Sequence, residues 1–187
     1  TASSGMDDKP LESTFDNSMI YDEANKRTSA FEFRGEDGVT IEFWMKAPAA
    51  STRGIMQITG AAAGEIKLVM NTSDQLQVTI GSGSLAPLSP VTVLENVIAS
   101  AANTWNHYAV SIHSSSVGLT YKGFKNGQLK KTTVVGSNIP SILPTTDGLN
   151  MKLAWHGAGA LFTGSLDEFR YWKKARTEEE IFNNYFV

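Results

Sequence analysis

Acidic residues that could form a catalytic pair are the first chemical feature of the sequence. Glycoside hydrolysis needs two carboxylates, about 5–5.5 Å apart in retaining enzymes and farther apart in inverting ones. The segment GEIKLVM offers only Glu65, and LDEF places Asp167 and Glu168 on opposite faces of a strand. The three histidines are not accompanied by a G-x-S-x-G nucleophile elbow. We therefore predict no catalytic residues and no enzymatic activity.

Two neighbouring residues, Trp155 and His156, are candidates for binding a ligand. They precede the small residues GAGA, so we expect them where a strand ends beside a loop. The indole ring of Trp155 could stack on a sugar ring, because tryptophan combines an apolar face with a polar tip. A core position for Trp155 is the alternative, and a packed role is the alternative for the strand histidine His107.

Short polar turns supply further candidate ligands. Asn71 and Asp74 lie in the turn NTSD, and Asp37 lies in the turn GEDG. Calcium takes six to eight oxygen ligands, and the sequence has no dense acidic loop. Solvated turns are therefore the alternative to a ligand site at both positions.

Alternation of apolar and polar residues predicts the strands that position these candidates. VTIEFWMKA alternates throughout, and in WNHYAVSIH one side carries Trp105, His107, Ala109 and Ser111. Strands recur about every ten to fifteen residues with turn residues between them, which favours a two-sheet antiparallel β-sandwich or jelly roll over an immunoglobulin-type sandwich. Asn126-Gly127 predicts a tight hairpin. The residues expected in the core include Ile41, Phe43, Leu68, Val78, Val110, Leu153 and Phe169.

The C-terminal segment predicts a last strand and a short helix. Glu168 and Arg170 are two residues apart, so they share a strand face and can pair there. Thr177 and Glu180 match the S/T-x-x-E capping box, which places the start of a helix at Thr177. The residues expected to pack this helix against the sandwich are Ile181, Phe182 and Tyr185.

Composition limits the classes of protein to which the chain can belong. We predict a linker or arm over residues 1–12 and one domain over residues 13–187, and because the first residue is Thr1 we expect an excerpt or a processed product. No stretch approaches the roughly 20 apolar residues of a membrane helix. The net charge of −3 comes without a basic block, which argues against nucleic acid as a partner. The absence of cysteine excludes disulfides and thiol catalysis.

Four segments in order resemble one domain family. The ending GSLDEFRYWKKARTEEEI resembles the closing segment of laminin G-like and pentraxin-like domains, within the concanavalin A-like lectin/glucanase superfamily. VTIEFWMKA, TWNHYAVSI and YKGFKNGQLKKT resemble three earlier segments of that family, so the resemblance runs from Ala30 to Phe186. It implies a jelly roll, often with calcium, and a glycan or protein ligand. It also implies Asp167 as a metal ligand, with Asp37 and Asp74 as further candidates. A structural acid that accepts backbone hydrogen bonds is the alternative for Asp167.

The resemblance leaves two functions open, because this fold carries lectins, adhesion modules, structural domains and enzymes. The hydrolases of this fold carry Glu-x-Asp-x-x-Glu on one strand, and the chain has no such run. The first hypothesis is a non-catalytic carbohydrate-binding or adhesive domain of a microbial or viral surface protein. The second is a structural or assembly module, such as a phage virion decoration or appendage domain. The expected location is extracellular, at a cell surface or on a virion, without membrane insertion.

Overall fold

The computed structural model describes residues 11–14, 31, 33–59, 64–81, 88–98, 102–136, 141–142, 150–154 and 162–186. Its elements are β1 (Leu11–Thr14), β2 (Phe33–Arg34), β3 (Val39–Lys46), β4 (Arg53–Thr59), β5 (Glu65–Met70), β6 (Gln75–Gly81), β7 (Val91–Glu95), β8 (Asn106–Ser115), β9 (Gly118–Lys125), β10 (Gln128–Val135), β11 (Ser141–Ile142), β12 (Asn150–Leu153), β13 (Ser165–Trp172) and α1 (Glu178–Asn184).

Two antiparallel sheets form the body of the domain. One has six strands in the order β1-β12-β4-β5-β6-β7, and the other has five in the order β10-β9-β8-β3-β13. Consecutive strands pair within each sheet, whereas β3, β12 and β13 pair with strands distant in the chain, as in a jelly roll. The prediction of a two-sheet antiparallel β-sandwich with a short C-terminal helix is confirmed.

The core lies between the sheets, because each strand directs alternate apolar side chains inward. In β3 these are Val39, Ile41, Phe43 and Met45, all of which are buried. The predicted core is confirmed. Its fully buried members are Ile41, Phe43, Leu68, Val78 and Val110, and its partly buried members are Leu153 and Phe169.

The hairpin between β9 and β10 turns at Asn126 and Gly127, as predicted. Their φ angles are 51° and 74°, the positive values that a type I′ turn requires at both central positions. A Cβ atom at Gly127 would lie 2.6 Å from Cδ1 of Tyr185. Glycine here therefore serves both the turn and the close approach of the chain end.

A β-bulge interrupts β13 where it pairs with β3. Asp167 pairs with Trp44 and Arg170 with Glu42, so one extra residue lies on β13, and Glu168 has a φ of 46°. Arg170 Nη2 lies 2.6 Å from Oε2 of Glu168, which confirms the predicted pair. The alternation pattern did not predict the bulge.

Helix α1 begins with the predicted capping box. Glu180 N donates to Oγ1 of Thr177, and Thr177 N donates to Oε2 of Glu180. Ile181 is fully buried in a small cluster with Ala109 and Phe124 on the outer face of the five-stranded sheet. The prediction that Phe182 packs inward is wrong: this side chain is 55% exposed, because the buried side of the helix passes through Ile181.

Strand pairing reaches the segment predicted as an arm. β1 begins at Leu11 and pairs with β12, so two residues of that segment belong to the six-stranded sheet. Residues 1–10 lie outside the described part of the chain. Across the described residues, no helix has the length and apolar character needed to span a bilayer.

Replacing Ile181 by Ala should lower the free energy of unfolding by about 2–5 kcal/mol, the range for truncating a buried isoleucine. The matched variant Phe182→Ala should lower it by well under about 1 kcal/mol, because this ring is mostly exposed. Urea denaturation of both variants measures the difference. Equal losses would contradict the observed orientation of α1.

Candidate functional site

Asn71 and Asp74 stabilise the turn between β5 and β6. Asn71 Oδ1 accepts from the backbone N of Ser73 and of Gln75, at 2.9 and 3.0 Å. Asp74 Oδ1 accepts from Ile98 N at 2.8 Å, and its φ is 57°. These side-chain oxygens already have backbone partners, so a ligand at this turn would compete with them. Their predicted role in ligand binding stays a prediction.

The predicted metal ligands Asp37 and Asp167 lie far apart along β3. Asp37 precedes the first residue of that strand, and Asp167 pairs with Trp44 near its last residue. Asp167 Oδ1 accepts from Glu168 N at 2.8 Å. In the part of the chain that the structure describes, no three acids or histidines converge on a metal position. These acids therefore do not fit a shared calcium site.

The candidates Trp155 and His156 lie outside the described residues. The chain before them is described: Ala154 N donates to Ile55 O at 2.9 Å, beside the end of β12. Asn71 follows Met70, which pairs with Arg53 on the other side of β4. Ala154 and Asn71 are therefore at the same end of the six-stranded sheet, with β4 between them.

Three buried side chains meet beneath α1, and we call them the charge cluster: Glu42 from β3, His107 from β8 and Arg176 before α1. Their exposed fractions are 0%, 2% and 7%. Arg176 Nη1 donates to Oε1 of Glu42, and Nη2 donates to Glu180 O at 2.8 Å. His107 Nε2 lies 3.5 Å from Oε2 of Glu42. Each charge is thus taken out of water and compensated within the cluster.

The charge on Glu42 persists because of its neighbours. Burial alone raises the pKa of Glu42, but the His107 ring and the Arg176 guanidinium together outweigh it and hold this pKa below its usual value. Glu42 is therefore a carboxylate at neutral pH, opposite a guanidinium that stays protonated. An uncompensated charge at this depth would be strongly destabilising.

The charge cluster is almost completely buried. Its three side chains are more than nine-tenths buried, and Arg176 also contributes to the lining of an open groove beside the start of α1. The packed role considered for His107 agrees with this position. Sequence reasoning did not identify Glu42 or Arg176. The available signals were an acid on the outward side of β3 and an arginine next to the helix cap.

Beside the charge cluster lie four aromatic side chains, which we call the aromatic face: Trp44, Trp105, Tyr185 and Phe186. Trp44 contacts Phe186 with ring centroids 6.4 Å apart, and Phe186 contacts Tyr185 at 3.8 Å. Trp105 is 38% exposed and Phe186 is 77% exposed. Trp105 adjoins the same sheet, two residues before His107, which pairs with Trp44. Exposed apolar groups that lie near one another mark interaction sites.

Polar side chains border the aromatic face. Lys46 Nζ lies 5.6 Å from the centroid of the Trp105 ring. Asp167 is exposed and pairs in register with Trp44. A cation and a carboxylate therefore flank the tryptophans, which gives both stacking surface and hydrogen-bonding groups. The sequence had placed Trp105 and His107 on one side of β8, and had considered Asp167 as a metal ligand or as a structural acid that accepts backbone hydrogen bonds.

The outer face of the six-stranded sheet offers polar groups without aromatic rings among its described residues. Lys152, Gln57, Lys67 and Thr79 pair in register across four neighbouring strands. Glu65 lies 3.9 Å from Lys67 and accepts from Gln57 at 3.4 Å. This face can form hydrogen bonds but provides no ring for stacking.

An open groove of about 550 Å³ lies on the five-stranded sheet beside the start of α1. Ser111, Thr120 and Lys122 form part of its lining. Lys122 Nζ donates to Glu178 Oε1 at 3.0 Å, which joins the two sides of the groove. No Phe, Tyr or Trp side chain lines the described groove, so the aromatic face is the stronger candidate for stacking on a ligand.

Replacing Arg176 by Met should lower the free energy of unfolding by about 3–5 kcal/mol, because Glu42 is left buried without its partner. The double variant Glu42→Leu/Arg176→Met should recover most of this loss, since it removes both charges together. Urea denaturation of the single and double variants gives the coupling energy. Additive losses would show that the two side chains do not depend on each other.

Thermal unfolding of the protein with and without calcium tests whether the ion binds. A cation at a hundred times its Kd stabilises the folded state by about 2.7 kcal/mol. Calcium should therefore raise the melting temperature and a chelator should lower it, if the predicted cofactor binds. Asp167→Asn should abolish that difference if Asp167 is a ligand. Identical melting in calcium and in chelator would contradict the calcium prediction.

Three solved structures share the fold. They are a pentraxin from Limulus polyphemus (12% identity, 82% of this chain and 71% of that one, TM-score 0.55), domain 4 of an extracellular arabinanase from Geobacillus stearothermophilus with arabinotriose (19%, 80% and 66%, 0.56) and a sialidase carbohydrate-binding module from Ruminococcus gnavus with α2,6-sialyllactose (15%, 80% and 83%, 0.56). Other matched structures have longer chains than this one. The aligned region covers 36% to 43% of the length of those chains.

The family is established by sequence rather than by these distant structures. No curated protein sequence matches the chain significantly. A laminin G-like family model, described as the concanavalin A-like lectin/glucanases superfamily, matches residues 9–182. The match covers both sheets and most of α1, in agreement with the observed fold. The chain therefore belongs to the laminin G-like family of the concanavalin A-like lectin/glucanase superfamily.

Proposed function

We propose that the domain is a non-catalytic glycan-binding module that binds its ligand on the aromatic face. The observation that carries this proposal is the exposed ring of Trp105, which has Lys46 Nζ 5.6 Å from its centroid, while Trp44 on β3 pairs with Asp167 on β13. A sugar ring presents C–H groups to an aromatic face and hydroxyl groups to polar neighbours. Binding sites of this kind combine apolar rings with a few placed polar groups.

The relatives support a glycan as the ligand class. The arabinanase domain was solved with arabinotriose and the sialidase module with sialyllactose, on the same fold. One of these sugars is neutral and the other is acidic. Since Lys46 and Asp167 bring both charges to the aromatic face, both classes belong in the test.

The charge cluster supports a binding rather than a catalytic function. Its carboxylate and imidazole are the groups that acid–base catalysis would use, and both are buried beneath α1. On the described surface, the Glu168 carboxylate is paired with Arg170. We place the parent protein at a microbial or viral surface or outside the cell, where a glycan or a surface protein is its partner.

A protein-binding or assembly function is the second candidate. It is favoured by Phe182 and Phe186, which are 55% and 77% exposed on the same end of α1. Aromatic residues are enriched in protein interfaces, and Phe182 lies on α1 outside the aromatic face. A partner protein would contact the helix, whereas a glycan would contact Trp105.

A glycan array that includes arabino-oligosaccharides and sialyllactosides tests the proposal. Binding should appear on the array, and calorimetry should show at least a roughly tenfold weaker Kd for Trp105→Ala, as expected for a central aromatic contact. The control Val134→Ala removes another exposed apolar side chain, on β10, and should leave Kd unchanged.

Two outcomes would contradict the site. If Trp155→Ala abolishes binding and Trp105→Ala does not, the ligand binds where the sequence placed it, at the loop after β12. If no glycan binds, the protein-binding function is favoured instead. The double variant Phe182→Ala/Phe186→Ala should then abolish binding of the partner protein.

A further inference from the structure

We propose that Arg176 is a positioning residue for the aromatic face: by joining α1 to Glu42, it holds Tyr185 and Phe186 beside Trp44. Its consequence for ligand affinity rests on the proposed function, whereas the positioning itself does not. Arg176 is not part of the aromatic face, and the ring over which its guanidinium lies is that of Trp172.

The aromatic face is composite, because its rings come from two parts of the chain. Trp44 and Trp105 belong to or adjoin strands of the five-stranded sheet, whereas Tyr185 and Phe186 follow α1. The Tyr185 ring lies 5.6 Å from the His107 ring, and the His107 ring lies 5.7 Å from Trp44. Tyr185 and Phe186 are therefore adjacent to Trp44 only while α1 is docked on the sheet.

Arg176 contacts the sheet and the helix at the same time. Its guanidinium donates to the Glu42 carboxylate on β3 and to the backbone O of Glu180 within α1. Its backbone N donates to Oγ1 of Thr40 at 2.8 Å, and its guanidinium lies 4.4 Å from the Trp172 ring centroid. One side chain thus fixes the helix against two strands, β3 and β13.

Helix α1 depends on its contacts with the sheet because it is short. It has seven residues, and isolated helices shorter than about 12–15 residues are marginal in water. Ile181 is its buried apolar residue. Loss of the Arg176 contacts should therefore release the helix and its following rings together, while the sandwich core stays intact.

The same contacts make docking sensitive to acid. Glu42 faces His107 from β8 and Arg176 before α1, and the Lys174–Glu180 ion pair lies at the start of α1. The pKa of Glu42 in the folded protein is below its usual value of 4.5. The stabilisation it provides is thus fully present above that value and is lost as pH falls through the folded pKa.

Hydrogen–deuterium exchange of the α1 amides measures docking directly. Arg176→Met should remove their protection, and Arg176→Lys should restore it in part, because lysine supplies the charge without the two-pronged geometry. The control Lys67→Met removes one positive charge from the other sheet and should change nothing. Full protection of α1 in Arg176→Met would overturn the proposal.

A double-mutant cycle separates positioning from general destabilisation. With arabinotriose and α2,6-sialyllactose as probes, the effects of Arg176→Met and Phe186→Ala on Kd should be non-additive, because both remove the same ring. The effects of Arg176→Met and Trp105→Ala should add. Additivity in the first pair would overturn the proposal even if α1 loses protection.

Two further outcomes are decisive. If neither oligosaccharide binds the wild-type protein, the glycan proposal fails, and the exchange experiment alone decides the positioning role. If Arg176→Met does not fold, near-ultraviolet circular dichroism of the wild-type protein replaces it. The aromatic signal should then fall on acidification at a higher pH than the far-ultraviolet signal, and simultaneous loss of both would overturn the proposal.

Discussion

The ion pair between Glu42 and Arg176 is the contact on which the outer half of the five-stranded sheet depends. A carboxylate buried this deeply must be compensated, because an unpaired charge in the interior costs several kcal/mol. Arg176 compensates it and uses its remaining donors on the backbone of α1. The position of the helix, the burial of His107 and the arrangement of the terminal aromatic rings follow from that bridge.

The outer faces of the two sheets differ in what covers them. The six-stranded sheet presents polar rows to solvent, whereas the five-stranded sheet is partly covered by α1. The large apolar cluster between the sheets does not involve the helix, and the cluster beneath α1 is small: Ala109, Phe124 and Ile181, with Leu129 against it. The sandwich can therefore remain folded when the helix is released, and the Tyr185 and Phe186 side of the candidate site depends on the smaller of the two apolar clusters.

Membership of the family determines the architecture but leaves the ligand open, since related folds bind unrelated partners. The chemistry must be argued from side chains. Trp105 is available because its side chain is left partly exposed. Lys46 lies over its ring, and strand register brings Asp167 to Trp44 on the same sheet. The acids predicted to bind calcium remain separate for the same reason: register assigns them to opposite ends of β3.

Local patterns in the sequence determined the strands, their inward side chains, the Asn126-Gly127 turn and the capping box of α1, because each depends on residues a few positions apart. They also determined that Trp105 and His107 share a side of β8. Tertiary structure alone decided that this side is the outer one beneath α1, that Phe182 faces solvent and that an extra residue lies in β13. It also brought Glu42 to Arg176 across 134 positions of the chain. No periodicity encodes such a contact, because it exists only once β3 has paired with β8 and β13 and the chain has returned across their outer face.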